Sequence, residues 1–148
     1  MRLVYPPPIY AYIVAFMLLL CTVTFAKDLC LPAALKGGTS IDLPLGVLGK
    51  VKTLHCHVSM KVPLTRAFAC IKKHASYIKT TAGCYCYRYI GGTVKLSQHA
   101  FGLAVDLDVG LPPNPIVVMC FEASGFEWGG RWAAPKTDNM HFQLKESI

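Results

Sequence analysis

Charged side chains are scarce in this sequence, and acidic ones are the scarcest. The chain has 148 residues, of which 16% are charged, with 8 Asp and Glu against 15 Lys and Arg. Because 53% of the residues are hydrophobic, the chain is too apolar to be a disordered protein. It has no internal repeat or long linker, and its length suits a single domain. These absences exclude a multidomain enzyme, a coiled coil and a low-complexity tail.

The apolar residues are concentrated at the N-terminus. Residues 1–26 carry one charged side chain, Arg2, and residues 9–26 carry none. This run is long for a signal peptide and just short of a comfortable membrane span. Residues 1–26 therefore predict either a cleaved signal peptide or a retained anchor. Both alternatives export residues 27–148. The composition of these residues is that of one soluble domain, and it excludes a polytopic membrane protein.

The cysteines lack the usual spacing of a zinc cluster, because a single residue separates Cys84 from Cys86. Beyond Cys21 the body contains an even number of cysteines, which in a small exported domain predicts up to three disulfides. Buried free thiols are the alternative, and the sequence does not choose among the pairings. These body cysteines are Cys30, Cys56, Cys70, Cys84, Cys86 and Cys120.

Short helical and strand patterns alternate along the body. Because strands follow one another with few crossover helices, the sequence predicts an α+β fold with adjacent strands rather than a parallel sheet. Loops are expected over 36–40 and 111–115. Helices are predicted over 63–77 and 116–124. The predicted strands and β-prone segments are 53–62, 83–90, 103–109 and 140–144.

Two of these strands carry a polar face. The pleat directs Asp106 and Asp108 away from the apolar residues of their strand, and it does the same for His141 on the last strand. His99 and Asp138 lie near these strands in sequence. If the strands are neighbours, these side chains converge on one site. The residues predicted to face the core are Leu103, Val105, Leu107, Val109, Met140, Phe142 and Leu144.

Two histidines and an aspartate suit a catalytic zinc site, which takes three protein ligands and leaves one position for water. A zinc ion lowers the pKa of the bound water, and a spare carboxylate can accept its proton. Taken singly, each such residue is more often a solvated Asp or a hydrogen-bonded His, so the combination carries the prediction. His55 and His57 share a strand face without an acidic or third ligand nearby, and they are a weak second candidate.

The segment Ser97-Gln-His-Ala-Phe-Gly-Leu-Ala-Val-Asp106 has the form S-x-H-x-x-G-x-A-x-D, and W-G-G-x-W and D-x-x-H-F follow it. These motifs resemble the signature of the D-alanyl-D-alanine carboxypeptidase and L-alanyl-D-glutamate endopeptidase family of zinc peptidases, which includes VanX/VanY-type enzymes and phage endolysins. The resemblance covers residues 53–144. It implies helices packed on a small antiparallel sheet, a fold shared with hedgehog signalling domains. The six body cysteines depart from the family pattern.

The resemblance also implies roles for individual residues. His99, Asp106 and His141 match the three zinc ligands. Asp138 matches the catalytic carboxylate of the endopeptidase-like branch. Arg88 lies where the family tends to place an arginine near the substrate carbonyl.

Five further residues are assigned places by the sequence. Ser97 and Trp128 are predicted substrate contacts, and Trp132 is expected to wall the cleft with Trp128, although a place in the core is the alternative for both tryptophans. Gly102 either keeps a side chain away from the metal or is a simple turn glycine. Asp108 either orients a ligand or is solvated.

The resemblance therefore implies an exported metallopeptidase with one zinc ion, periplasmic or extracellular, that cleaves the peptidoglycan stem peptide. Asp138 favours endopeptidase cleavage, L-Ala–D-Glu, over removal of terminal D-Ala. The alternative is a non-catalytic zinc-bearing domain that binds the cell wall, as in the hedgehog-like fold. The basic residues form no cluster longer than Lys72-Lys73, so no nucleic-acid partner is expected. A monomer is expected, with membrane contact only through the N-terminal segment.

Overall fold

The computed structural model describes residues 37–42 and 53–145. The predicted leader, residues 1–26, lies outside these residues. Among the residues that are described, no helix has both the length and the apolar character needed to cross a bilayer.

Within residues 37–42 and 53–145, the strands form two antiparallel sheets. In the first sheet, β1 (Gly38–Asp42) pairs with β2 (Thr53–His57). The second sheet has four strands in the order β3-β4-β6-β5, and all three pairings are antiparallel. This arrangement confirms the predicted α+β class. The four strands are β3 (Thr81–Gly83), β4 (Ala104–Leu107), β5 (Phe126–Trp128) and β6 (His141–Leu144).

Two α-helices pack together beside the second sheet, α1 (Lys61–Lys73) and α2 (Pro115–Ala123). Helix α1 forms because its buried residues recur at helical spacing and give it one apolar face. Helix α2 begins at a proline, and the Asn114 side chain accepts a hydrogen bond from the Ile116 N–H at 3.0 Å, which caps the helix. The buried residues of α1 are Leu64, Ala67, Phe68 and Ile71.

The two helices cover one face of the four-stranded sheet. The Phe121 ring of α2 lies 4.9 Å from the Phe126 ring and 4.6 Å from the Phe142 ring. Val105 pairs with Phe142 in register, and both side chains belong to the core. Because side chains alternate along a strand, the residues between these positions face the opposite side, away from the helices.

Several predicted boundaries were wrong. The segment 36–40, expected to be a loop, supplies most of β1, because its backbone pairs with β2. The strand predicted over 53–62 stops at His57, where the imidazole accepts from the Ser59 N–H and the chain turns into a 3-10 helix and then α1. Val109 is 41% exposed rather than in the core, since the chain leaves the sheet after Leu107.

Two further boundaries differ from the prediction. The β-prone segment 83–90 contributes only its first residue to a strand, plus one isolated bridge between Tyr89 and Leu96. Helix α1 begins two residues earlier than expected and ends at Lys73 rather than near Tyr77. There the chain turns through Ala75, which has a positive φ of 51°.

Disulfides join the layers of the fold. Cys70 of α1 is bonded to Cys120 of α2, and Cys56 of β2 is bonded to Cys84, which follows β3. Cys86 is disulfide-bonded as well. The prediction of disulfides is thus confirmed for these cysteines, whereas Cys30 lies outside the described residues.

Candidate active site

Three local structures bring the predicted ligands together on the sheet face that the helices leave uncovered. Asp106 lies on β4 directly opposite His141, the first residue of β6. His99 lies on the 3-10 turn Gln98–Phe101, which leads into β4. Gly102 ends that turn with φ of 65°, a left-handed conformation that glycine adopts at little cost. This geometry supports the turn interpretation of Gly102.

The three side chains present one atom each to a common point. Nε2 of His99 lies 3.0 Å from Oδ1 of Asp106 and 3.2 Å from Nδ1 of His141, and the last two atoms are 3.1 Å apart. All three residues are buried: the exposed fraction is 2% for His99, 2% for Asp106 and 6% for His141. Zinc bonds of about 2.0–2.1 Å in tetrahedral geometry place neighbouring ligand atoms about 3.3 Å apart. The spacing of the three atoms therefore fits one metal ion.

Hydrogen bonds on the far side of each ligand fix which atom faces the common point. His99 Nδ1 lies 2.6 Å from the Cys84 carbonyl oxygen, which can only accept, so Nδ1 carries the proton and Nε2 keeps its lone pair. Arg88 donates to Oδ2 of Asp106 at 3.2 Å and leaves Oδ1 available. His141 Nε2 lies 3.2 Å from Oε1 of Gln143. Three lone pairs meeting in a buried place are satisfied by a cation, and the donor set suits zinc.

The charge of Asp106 agrees with a ligand role. Burial alone would raise the pKa of its carboxyl, but the neighbouring imidazoles of His141 and His99 outweigh burial and hold the pKa well below the usual range. The carboxylate is therefore ionised at neutral pH.

Arg88 borders the site from the solvent side. Its side chain is 48% exposed while it contacts the buried Asp106 carboxylate. The structure thus brings Arg88 to the predicted site, where it orients a ligand. Its predicted contact with substrate stays a prediction.

Asp138 lies three residues before His141, in the loop that enters β6. Its backbone N–H donates to the Gly129 carbonyl at 3.0 Å, and its Oδ1 accepts from the Met140 N–H at 3.4 Å. The residue is half-buried, and its carboxylate is outside the group formed by the three ligand atoms. These positions leave Asp138 beside the site, and its role as the base stays a prediction.

The two tryptophans lie on different sides of the sheet. Trp128 pairs in register with Phe142, on the helix-facing side, and lines a cavity of about 460 Å³ with Pro115, Met119 and Arg131. This is the side of the sheet away from the ligands. The Trp132 ring instead lies 5.2 Å from the His141 ring. Trp132 is thus better placed to wall a substrate cleft than Trp128, whose predicted substrate contact has no support from this placement.

Ser97 has a structural task. It is buried, and its hydroxyl accepts a hydrogen bond from the His99 N–H at 3.3 Å, which caps the turn that presents this ligand. Its predicted substrate contact stays a prediction.

Asp108 fits neither interpretation offered for it. Its Oδ1 accepts from the backbone N–H groups of Lys79 and Thr80, at 2.6 and 3.3 Å. Asp108 therefore anchors the segment that enters β3.

The second histidine pair makes separate hydrogen bonds. His55 lies 3.0 Å from the Ser40 hydroxyl, and His57 lies 2.8 Å from the Ser59 hydroxyl. Within residues 37–42 and 53–145, the group of His99, Asp106 and His141 is the one whose ligand atoms lie close enough together to hold a metal ion.

Sequence reasoning did not identify Glu127 as part of the site. Its carboxylate accepts from Gln143 and from the indole N–H of Trp132. Alternation along the strand places Gln143 on the same face as His141, which marks Gln143 as a neighbour of the site. Glu127 reaches the site only because β5 pairs with β6, and this pairing exists only in the folded sheet.

Comparison with known proteins agrees with the geometry. Residues 91–144 match the family model described as D-alanyl-D-alanine carboxypeptidase. The match contains all three ligand candidates and confirms the resemblance that the motifs indicated. No curated protein matches the chain. The family match and the His/Asp/His group together support a hydrolase of the metallopeptidase kind that acts on peptidoglycan-like substrates.

Proposed function

We propose that the chain is an exported zinc metallopeptidase that hydrolyses a peptide bond in the stem peptide of peptidoglycan. The observation that carries the proposal is the buried group of His99, Asp106 and His141, whose three ligand atoms lie within 3.2 Å of one another. This group lies inside the segment that matches the peptidase family.

His99, Asp106 and His141 would hold a zinc ion, which would act as a Lewis acid when bound. Asp138 accepts a proton from the attacking water and then delivers it to the leaving amine. Two features support this assignment. The Asp138 carboxylate accepts one long hydrogen bond, from the Met140 N–H at 3.4 Å. The backbone carbonyl of Asp138 accepts from the His141 N–H, which keeps the residue next to this ligand.

Arg88 stabilises the negative charge that develops on the carbonyl oxygen. A guanidinium carries five N–H donors, and the contact with Asp106 uses one nitrogen. The exposed part of the side chain remains accessible to a substrate. Preorganised donors of this kind typically contribute about 3–4 kcal/mol to transition-state stabilisation.

Two bonds of the stem peptide are candidates for cleavage. An aspartate at position 138 resembles the endopeptidase branch and favours the L-Ala–D-Glu bond. The matching family description names a D-alanyl-D-alanine carboxypeptidase, which keeps the terminal D-Ala bond as the second candidate.

Export is proposed on two grounds. Disulfides at Cys56–Cys84 and Cys70–Cys120 suit an oxidising compartment. The apolar segment 9–26 would direct the chain across a membrane or hold it there. We place the domain in the periplasm or outside the cell as a monomer. There the net charge of +6 on residues 27–148, from 14 Lys and Arg against 8 Asp and Glu, would favour an anionic cell wall.

The test is Asp138→Asn, which keeps the shape of the side chain and removes its basicity. Zinc content should stay at about one ion per chain, and hydrolysis should fall about 10²–10⁴-fold. Mass spectrometry of digested muropeptides measures the rate and identifies the bond from the fragment masses. Asn139→Ala is the matched control, because Asn139 is exposed and its recorded contact is made by its backbone carbonyl.

Each outcome separates one reading from the others. Near-normal hydrolysis by zinc-loaded Asp138→Asn would refute the mechanism. Loss of zinc would make Asp138 a ligand. A zinc-loaded wild-type domain that binds peptidoglycan without cleaving it would replace the peptidase by the non-catalytic binding domain.

A further inference from the structure

A series of hydrogen bonds connects the ligand His141 on β6, through Gln143 and Glu127, to Trp132. His141 Nε2 lies 3.2 Å from Oε1 of Gln143, and Gln143 Nε2 donates to Oε2 of Glu127 at 3.1 Å. The other carboxylate oxygen of Glu127 accepts from the indole N–H of Trp132 at 2.5 Å. The series follows from register, because Gln143 lies directly opposite Glu127 and two residues after His141.

The direction of this series is fixed by Glu127. An ionised carboxylate can only accept, so Gln143 must turn its NH₂ group toward Glu127 and its carbonyl oxygen toward His141. That oxygen can only accept as well, so the proton of the neutral His141 ring belongs on Nε2. Nδ1 then carries the lone pair that faces Asp106 and His99.

The opposite arrangement would block the metal. If the Gln143 amide turned over, its NH₂ group would donate to His141 Nε2, and the ring proton would move to Nδ1. That proton would point at Oδ1 of Asp106, 3.1 Å away, in the place of the ion. His99 is protected from such a change because its proton is held by a backbone carbonyl.

We propose that Glu127 is a positioning residue for the metal site: it sets the orientation of the Gln143 amide and so holds His141 in the tautomer that binds a metal through Nδ1. The proposal rests on the metal-binding part of the proposed function and not on peptide cleavage. It assigns a task to the glutamate that precedes the W-G-G-x-W motif.

The test compares Glu127→Gln with the exchanged pair Glu127→Gln/Gln143→Glu. In the single variant the indole N–H of Trp132 can only donate, so the amide at position 127 turns its oxygen toward Trp132 and its NH₂ group toward Gln143. Gln143 then turns its own NH₂ group toward His141, and the affinity for zinc should fall about 10–100-fold, the usual range for loss of an outer-shell partner. In the exchanged pair, the carboxylate at position 143 accepts from His141, and the amide at position 127 donates to it and accepts from Trp132. All three hydrogen bonds are restored, and affinity should recover.

Two measurements are needed, neither of which depends on catalysis. Zinc affinity is measured by competition with a chromogenic chelator. The imidazole ¹⁵N shifts of the metal-free protein report which nitrogen of each histidine carries the proton. Glu127→Gln should show protonated Nδ1 at His141 with His99 unchanged, and the exchanged pair should return His141 to protonated Nε2.

The tautomer is the deciding readout, because the single variant also removes a negative charge. An unchanged His141 tautomer in Glu127→Gln would overturn the proposal, whatever the affinity. Failure of the exchanged pair to recover both readouts would overturn it as well. If Glu127→Gln does not fold, Gln143→Leu removes the same acceptor from His141, and wild-type zinc affinity in that variant would equally refute the proposal. Absence of peptidase activity in the wild type would leave these results intact.

Discussion

Substituting Gly129 should damage the site through packing alone. Gly129 is buried at the start of the 3-10 turn after β5. A Cβ atom at this position would lie 2.6 Å from the Asp138 carbonyl oxygen and 3.2 Å from Cβ of His141. Both neighbours belong to the segment that carries the predicted base and a ligand.

The size of the effect follows from these distances. To reach ordinary contact at 3.4 Å, the Asp138 carbonyl must move by about 0.8 Å, and this oxygen also accepts from the His141 N–H. Overpacking of this kind typically costs about 1–3 kcal/mol of unfolding free energy. A displacement of about 1 Å in catalytic geometry can cost about 10²-fold in rate. Gly129→Ala should therefore lower both stability and turnover.

The assay is urea unfolding of the zinc-loaded protein, combined with the muropeptide digest. Gly91→Ala is the matched control, because a Cβ there would meet nothing within 4 Å and no positive φ is recorded for it. The control should unfold and react like the wild type. If Gly129→Ala matched the control in both assays, the close approach of Gly129 to the Asp138 segment would not constrain the site.

Three further predictions concern the metal and the disulfides. Zinc occupancy should fall in each of the variants His99→Ala, Asp106→Ala and His141→Ala. The loss of zinc affinity should exceed the about 10–100-fold typical of an outer-shell partner. Stoichiometric zinc in all three variants would refute the ligand assignment. Replacing Cys70 and Cys120 together by alanine opens a loop with a sequence separation of 50, which corresponds to about 4 kcal/mol in the chain-entropy model. An unchanged urea midpoint would contradict that value. Thiol titration of the unfolded, unreduced protein should find few free thiols.

The ligand set was predictable from the sequence because motif and pleat carry it. Asp106 and His141 each occupy an alternating position on a strand, so their common face follows once the strands are paired. The S-x-H-x-x-G-x-A-x-D motif adds His99 and the glycine whose left-handed backbone ends the turn. The α+β class and both helices also follow from local patterns.

Only the tertiary structure decided what surrounds the ligands. A strand at 38–42 could not be read from Gly-Gly-Thr-Ser, because its pairing with β2 rather than its own propensity creates it. Trp128 and Trp132 are four residues apart in one motif, yet the end of β5 and the turn at Gly129 place them against different partners.

Glu127 shows the physical reason most directly. Its place in the site depends on strand order and register, in which β5 lies beside β6 and Glu127 lies opposite Gln143. Alternation along one strand determines the face of each side chain, and this much is written in the sequence. Which side chains meet across that face depends on strand pairing, a nonlocal property that the folded chain alone determines.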